Sequence, residues 1–488
     1  MVNSHVDEFE YSYYDYGRSM QHYNGTLSFH VHSWPDLTRV VLVILLRIGF
    51  VMIHVGSVPV NNVNLILLQN IVDVCWVTLT YSLIGYLIAF NGDTNGVIGG
   101  GVWVGNAAVD KDDVLIGWSA VVIAAAICTC GIVGRTHTVG YLVTGFLLAA
   151  LLQPFLIHWV WSPKGWMRTN LLNEEDVRFR DYAGSTIVHL VGGLSGLIGC
   201  MTLGRRILRL SALDDASIAA GTSGTVYAGE LMVFIGLQSL SIPNDTFRIR
   251  SKDHGHVYLN NLLAASSCSV FVVAFHFMVS GEEFNHWTVM RCVQALAAGL
   301  SIVAAGTDFY SPQIAIVLGF IGSIVFFLVS KLIFQSALED YCNIVATHVA
   351  CAFVGSFLAP LFDIDTEATL TANVYQFFWQ LICLITIITM VSIVMYISFT
   401  LLERFGLLRN RSEHLNHMRA NVAMEALDVP RGNFFRRLFH TDDDPVYIQP
   451  GSTSDSARRP SVGTHAMKYQ AEDAAIEKGR VVEPRPRT

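Results

Sequence analysis

Long apolar segments recur along most of the chain and are separated by short polar stretches. Crossing about 30 Å of hydrocarbon takes roughly 20 residues of α-helix. Eleven segments approach or exceed that length, at 38–58, 64–90, 114–134, 138–160, 184–203, 221–242, 260–281, 288–306, 312–334, 344–362 and 376–402. Backbone polar groups cannot stay unpaired in lipid, so each segment is predicted to be helical. The pattern therefore predicts an all-α polytopic membrane protein with eleven transmembrane helices.

The composition of the 488 residues favours the same environment. Hydrophobic residues make up 52% of the chain and charged residues only 14%, whereas soluble domains carry about 25% charged residues. The mean hydropathy is +0.45. No basic stripe indicates a nucleic-acid partner, so the predicted surroundings are a lipid bilayer. The nine cysteines lie in or beside apolar segments without zinc-type spacing, and we interpret them as small buried hydrophobic residues.

One motif occurs twice, as "DYAGSTIVH" from Asp181 to His189 and as "DYCNIVATH" from Asp340 to His348. Each copy places a histidine eight residues after an aspartate and continues into a helix rich in small residues. The copies fall on the fifth and tenth predicted helices. An odd number of helices in each half gives the halves opposite orientations, so we predict a 5+5 inverted repeat plus one C-terminal helix.

The repeat predicts where the two histidines lie. Each aspartate is expected to cap the start of its helix, where backbone N–H groups lack partners. Eight residues at 1.5 Å each then carry the histidine about 12 Å deeper, so His189 and His348 should meet near the middle of the membrane. Ionisable side chains at that depth are costly and tend to line pathways. The pattern favours a pore role for this pair.

The polar stretches divide the chain into regions. We predict an extracellular polar N-terminal segment at 1–37, the first repeat at 38–203, a loop at 204–220, the second repeat at 221–362, a last transmembrane helix at 376–402 and a cytoplasmic, largely disordered tail at 403–488. The glycosylation sequon at Asn24 is usable only outside the cell. With eleven helices, the C-terminus is then cytoplasmic.

Several stretches between about residue 47 and residue 430 resemble the ammonium transporter (Amt/Mep/Rh) family, in particular its eukaryotic Amt branch. They include the two motif copies, "RIGFVMIHVGSV" and "IHWVWSP". The resemblance implies a plasma-membrane homotrimer in which each subunit has its own pore. It implies that His189 and His348 are twin pore histidines and that Trp161 faces the recruited cation in an outer vestibule. Asp181 would support that vestibule, with Asp340 as its repeat partner.

The chain also departs from the family pattern. The stacked phenylalanine gate of the family falls on Val121 and Leu240, and a serine that binds the recruited ion falls on Asn244. On the first helix, His54 replaces the usual glutamate. Glu230 is an unexpected charge on the sixth helix.

Two further departures lie next to helix ends. The end of the third helix reads "GIVGRT", in which Arg135 replaces an acidic residue. Asn343 stands where the family usually has an aspartate, before the tenth helix.

The function that the resemblance implies agrees with the cost of moving charge into an apolar pore. An isolated ion cannot enter such a medium cheaply, which excludes potassium and sodium, but ammonium can lose its charge with a proton. Trp161 could recruit the cation by a cation–π contact, and paired imidazoles could relay its proton. We therefore predict an ammonium transporter that recruits ammonium at an outer vestibule, deprotonates it and conducts ammonia.

Other functions remain open at this point. The lost gate pair favours a transport-impaired family member acting as an ammonium sensor or partner subunit. Another small neutral permeant, such as carbon dioxide, is a third alternative. No nucleophile-and-base pair, metal cluster or phosphate loop indicates an enzyme, so neither a cofactor nor a metal is expected.

Overall fold

The computed structural model describes residues 25–57, 63–90, 92–107, 109–168, 170–172, 174–204, 220–243, 254–280, 286–336, 338–363 and 370–411. Two residues of the expected sites, Asn24 and Asn244, lie outside this described part. So do most of the N-terminal segment, residues 205–219 of the 204–220 loop and the tail beyond residue 411.

Each of the eleven apolar segments is a helix in the structure. The helices are α1 Gly25–Ser57, α2 Val63–Ala89, α3 Lys111–Ile132, α4 Thr138–Val160, α5 Ser185–Leu203, α6 Ala220–Leu237, α7 His254–Phe275, α8 His286–Val303, α9 Pro312–Gln335, α10 Val345–Phe362 and α11 Leu370–Arg404. Within the described residues, nine of them are long and apolar enough to cross a membrane. Helix α8 is apolar but shorter, and α6 is the other helix outside the nine. The all-α polytopic architecture is confirmed.

The helix bounds differ from the sequence pattern mainly at α1. It begins at Gly25, well before residue 38, and continues through Pro35. Hydropathy marks only the part of a helix that faces lipid or core, so a polar extension of the same helix gives no apolar signal. A second difference is the short hairpin of β1 Asn170–Leu172 and β2 Glu175–Val177, which lies in the connection from α4 to α5.

Helices α5 and α10 run in opposite directions, as the inverted repeat requires. Near the start of α5, the Thr186 hydroxyl lies 2.6 Å from that of Ser356, which is in the second half of α10. At the other end, Arg135 bonds to the last carbonyls of α5 and lies 4.0 Å from Glu339, just before α10. Each helix therefore begins where the other ends.

Both repeat helices also begin with the same irregularity. A π-helical turn covers Ser185–Leu190 in α5 and Val345–Ala350 in α10. Such turns are rare in proteins overall, and those that do occur are often found at functional sites. His189 lies in the π turn of α5 and His348 in the π turn of α10. The two histidines therefore share a local backbone geometry that the sequence motif did not reveal.

Glycines allow α1 and α6 to cross in close contact. A Cβ atom added at Gly229 would lie 2.7 Å from the carbonyl oxygen of Gly49 and 3.0 Å from Cβ of Met52. A Cβ atom at Gly49 would lie 2.5 Å from the carbonyl oxygen of Gly229. Small residues let helix backbones approach in this way within membranes.

This contact predicts different effects on stability for two substitutions on α6. Gly229→Ala should lower the free energy of unfolding by about 1–3 kcal/mol, because the new methyl group must push the backbone of α1 away. Gly224→Ala is the matched control, since a Cβ there meets nothing within 4 Å, and the better helix propensity should leave stability equal or higher. Thermal unfolding of the detergent-solubilised protein measures both. Equal melting temperatures for the two variants would contradict the prediction.

Candidate functional site

His189 and His348 form a buried hydrogen-bonded pair. Their Nδ1 atoms are 3.0 Å apart, their ring centroids are 5.1 Å apart, and the ring planes differ by 8°. His189 is 1% exposed and His348 4% exposed. One Nδ1 must donate and the other accept, so the two rings share a single proton between these atoms. The structure thus brings together two residues that are 159 positions apart in the chain.

Ser301 on α8 lies against both rings. Its Oγ is 3.4 Å from Nδ1 of His189 and 3.4 Å from Nδ1 of His348. The same hydroxyl donates to the carbonyl of Ala297 at 2.9 Å. Its oxygen therefore faces the histidine pair as a third polar group. Sequence reasoning missed Ser301, because a single serine in an apolar helix gives no distinctive signal.

Asp181 caps the start of α5. Its Oδ2 accepts the backbone N–H groups of Thr186 at 3.1 Å and Ile187 at 2.9 Å. Three residues after the aspartate, Gly184 adopts a left-handed backbone with φ of 81°, which glycine tolerates because it has no Cβ. The carboxylate and this turn together fix where α5 begins and so the depth of His189.

Asp340 makes the equivalent cap on α10. Its two carboxylate oxygens accept the N–H groups of Ile344 at 3.0 Å and Val345 at 2.8 Å. Three residues after the aspartate, Asn343 is also left-handed, with φ of 56°. Asparagine is among the few residues that adopt this region routinely. The departure at Asn343 therefore fits the turn that this position requires.

Polar contacts tie the histidine helices to their neighbours. The Ser185 hydroxyl donates to the carbonyls of Ser301 at 2.7 Å and Ala352 at 3.1 Å. The Gln153 amide of α4 donates to the carbonyl of Ile187 at 2.5 Å. Helices α4, α5, α8 and α10 are thus joined near the imidazole pair by hydrogen bonds as well as by packing.

Trp161 is buried at the end of α4. It is 2% exposed, and its Nε1 donates to the carbonyl of Asp181 at 2.7 Å. This bond holds the end of α4 against the start of α5. The indole N–H is therefore bonded within the chain.

The two positions of the expected gate are also buried. Val121 lies on α3, and Leu240 lies in the 3₁₀ turn Gln238–Ser241 that follows α6. This turn packs against α3. Both side chains are apolar, so they contribute no polar partner to a permeant.

Glu230 has a partner that the sequence could not name. The carboxyl group is buried on α6 and interacts with the side chain of Gln294 on α8. Gln294 in turn donates from Nε2 to the carbonyl of Cys342 at 2.9 Å. The unexpected charge therefore belongs to a polar contact between α6, α8 and the segment before α10.

The fold and the site define a polytopic membrane transporter with a buried polar pair between inverted repeats. A family model described as the Ammonium Transporter Family matches residues 37–423, and the chain belongs to this family. Its members are transporters rather than enzymes.

Two plant proteins illustrate the sequence similarity. The chain is 28% identical to the putative ammonium transporter 1 member 5 of Arabidopsis thaliana, over 83% of this chain and 86% of that protein. It is 26% identical to the ammonium transporter 1 member 3 of Solanum lycopersicum, over 76% and 87% respectively. The similarity therefore extends over most of both relatives.

Two solved structures share the fold. The structure called Sensor Amt Protein has a TM-score of 0.67 at 21% identity and covers 78% of this chain and 95% of its own. Candida albicans Mep2 has a TM-score of 0.61 at 16% identity and covers 77% and 86%. At these identities the likeness concerns the architecture alone.

The Asp340 cap predicts a pH dependence of stability. Burial raises the pKa of the Asp340 carboxyl from 3.8 to about 6, although bonds from backbone N–H groups act in the opposite direction. Because the folded protein holds this proton more tightly, the stabilising contribution is complete at low pH and is lost as the pH rises from about 4 to about 6. At about 1.4 kcal/mol per pKa unit, the loss is on the order of 3 kcal/mol.

Denaturation of the wild-type protein and of Asp340→Asn at about pH 4 and about pH 7 measures this contribution. The variant cannot titrate at this position, so its stability should change less between the two conditions. An identical change in both proteins would show that Asp340 does not carry the effect.

Proposed function

We propose that the protein is a plasma-membrane ammonium transporter that recruits ammonium, removes a proton and conducts ammonia past His189 and His348. The observation that carries the proposal is the 3.0 Å contact between the two Nδ1 atoms where the repeat helices cross. Membership of the Ammonium Transporter Family supports the permeant.

The surroundings of the pair favour a neutral permeant. Both rings are almost completely buried, and moving an isolated ion into such surroundings costs far more than moving a neutral molecule. Potassium and sodium have no means of losing their charge. Ammonium becomes ammonia when it transfers a proton, so the buried pair selects by chemistry rather than by size.

The hydrogen bond between the rings supports a role in handling that proton. Histidine is the side chain whose ordinary pKa lies closest to neutral pH. A proton shared by the two Nδ1 atoms leaves each Nε2 to bond with a permeant or with water. Ser301 lies 3.4 Å from each Nδ1 and offers a further polar atom when the shared proton moves.

Recruitment would take place before the pair is reached. Trp161, held in place by its bond to Asp181, would present its π face to the cation. Asn244 would accept a hydrogen bond from the cation. Val121 and Leu240 would keep the path between them and the histidines apolar. The full assembly would be a homotrimer with an extracellular N-terminus glycosylated at Asn24 and a cytoplasmic C-terminus.

The sensor alternative has less support. A sensor needs recruitment of ammonium more than it needs a proton-accepting pair deep in the bundle, and the paired imidazoles are the better defined of the two features. The likeness to the Sensor Amt Protein structure, at 21% identity, concerns the fold and carries no functional argument.

Uptake of ammonium or methylammonium by yeast cells that lack their own ammonium permeases tests the proposal. The wild-type chain should restore growth on ammonium. His189→Ala should lower uptake by about 100-fold, a loss at the lower end of what a positioned proton-transfer group contributes. Thr129→Val is a matched control, because within the described part of the chain this buried hydroxyl bonds only to the Ala126 carbonyl of its own helix.

Localisation of each variant at the cell surface must be measured beside uptake. Absence of uptake by correctly localised wild-type protein would favour the sensor alternative. Wild-type uptake and ammonium-over-potassium selectivity in His189→Ala would contradict the proton-handling role.

A second prediction concerns the space beside His348. A Cβ atom added at Gly193 would lie 3.0 Å from Cβ of His348 and 2.9 Å from a methyl group of Val349. Gly193→Ala should therefore displace His348 and lower uptake by between about tenfold and 100-fold. Gly224→Ala should leave uptake unchanged. Normal uptake by a well-expressed Gly193→Ala variant would show that the position of His348 is not critical.

A further inference from the structure

A second buried cluster lies away from the imidazole pair, where α1 and α3 end and α10 begins. His54 of α1, Cys130 of α3 and Cys342 before α10 place one imidazole nitrogen and two Sγ atoms within 4.8 Å of one another. Nε2 of His54 is 3.1 Å from Sγ of Cys130. The three residues are 0%, 3% and 5% exposed.

This donor set matches that of a soft metal ion. Zinc binds cysteine sulfur at about 2.3 Å and histidine nitrogen at about 2.0–2.1 Å, usually with four ligands. Donor atoms on one tetrahedral zinc are therefore about 3.5–3.8 Å apart, between the 3.1 Å of the His54–Cys130 contact and the 4.8 Å that bounds the cluster. Thiolate ligands favour zinc and copper(I) over harder ions.

The charges of the cluster suit a buried site. Binding of one zinc ion would break both S–H bonds and form two Zn–S bonds and one Zn–N bond, releasing two protons to water. Two thiolates, one neutral imidazole and Zn²⁺ then sum to zero, and copper(I) gives the same sum when only one of the two thiols loses its proton. A neutral complex avoids the cost of a net charge in an apolar interior.

Asn70 is positioned to orient the imidazole. Its Nδ2 lies 3.2 Å from Nδ1 of His54 and also donates to the carbonyl of Ile66 at 2.9 Å. Its Oδ1 is buried without a partner among the described residues. Coordination through Nε2 puts the ring proton on Nδ1, and rotation of the amide would offer Oδ1 to that proton.

A small cleft is formed in part by residues on either side of Cys342 in the chain. It is lined in part by Met290, Asp340 and Asn343, so the segment that carries Cys342 also forms the cleft wall. The sulfur of Met290 accepts a hydrogen bond from Ser57 at 3.4 Å, and Ser57 lies one turn beyond His54 on α1. This hydrogen bond joins a residue of the cleft to the turn of α1 that follows His54.

We propose that His54, Cys130 and Cys342 bind one soft d¹⁰ cation, zinc(II) or copper(I). An ion here joins the ends of α1 and α3 to the segment that leads into α10. Cys342 is six residues before His348, so occupancy would restrain the helix that carries one member of the imidazole pair.

Metal binding by the full-length chain tests the proposal. Untagged protein in detergent with a thiol reductant is incubated with zinc, desalted and analysed for metal by mass spectrometry. Wild type and Cys128→Ser should each retain about one zinc per chain, and Cys342→Ser and His54→Gln should bind at least about tenfold more weakly. Cys128 is the matched control because it is buried on α3, the helix that carries Cys130, but lies outside the cluster.

Cobalt(II) and copper(I) extend the test. Cobalt in the wild-type chain should give the near-ultraviolet thiolate-to-cobalt charge-transfer band, a result that holds even if a variant fails to fold. Competition with a copper(I) chelator then determines which ion binds more tightly. The proposal is overturned by absence of the cobalt band, by equal zinc retention in all four proteins, or by a mass two hydrogens lower that shows a Cys130–Cys342 disulfide under reducing conditions.

Discussion

A buried imidazole needs a hydrogen-bond partner, and in this bundle His189 and His348 are each other's partner. The 3.0 Å contact between His189 and His348 exists only if α5 and α10 begin at the correct depth and approach closely. An unpaired polar group in this interior would cost on the order of several kcal/mol. The aspartate caps set the depth, and the polar contacts from Ser185 and Thr186 hold the helices together.

The inverted repeat supplies this geometry twice from one local pattern. In both copies an aspartate accepts backbone N–H groups four to six residues ahead, a left-handed residue follows at the third position, and a π turn carries the histidine. The left-handed residue is Gly184 in one copy and Asn343 in the other. Different residues thus meet the same backbone requirement, which is why the departure at Asn343 leaves the turn intact.

The sequence predicts the features that depend on local pattern. Apolar length predicts eleven segments that are helical within the described part of the chain, and the repeated motif predicts that His189 and His348 meet. Features that depend on packing between distant residues give no such signal. Ser301 beside the pair, Gln294 beside Glu230, and the cluster of His54 with two cysteines all arise because the fold brings separate helices together. The burial of Trp161 also depends on packing between distant residues. Neither its hydropathy nor its motif specifies how much of the ring is exposed.

Arg135 shows how one of the departures connects both repeats. Its guanidinium donates to the carbonyls of Leu203 at 3.0 Å and Gly204 at 2.7 Å, at the end of α5, where a positive charge also complements the helix dipole. The same side chain faces Glu339 at 4.0 Å, next to the aspartate that caps α10. An acidic residue at this position could not donate to those carbonyls. The arginine therefore fixes the end of one histidine helix against the beginning of the other, which is the arrangement that the imidazole contact requires.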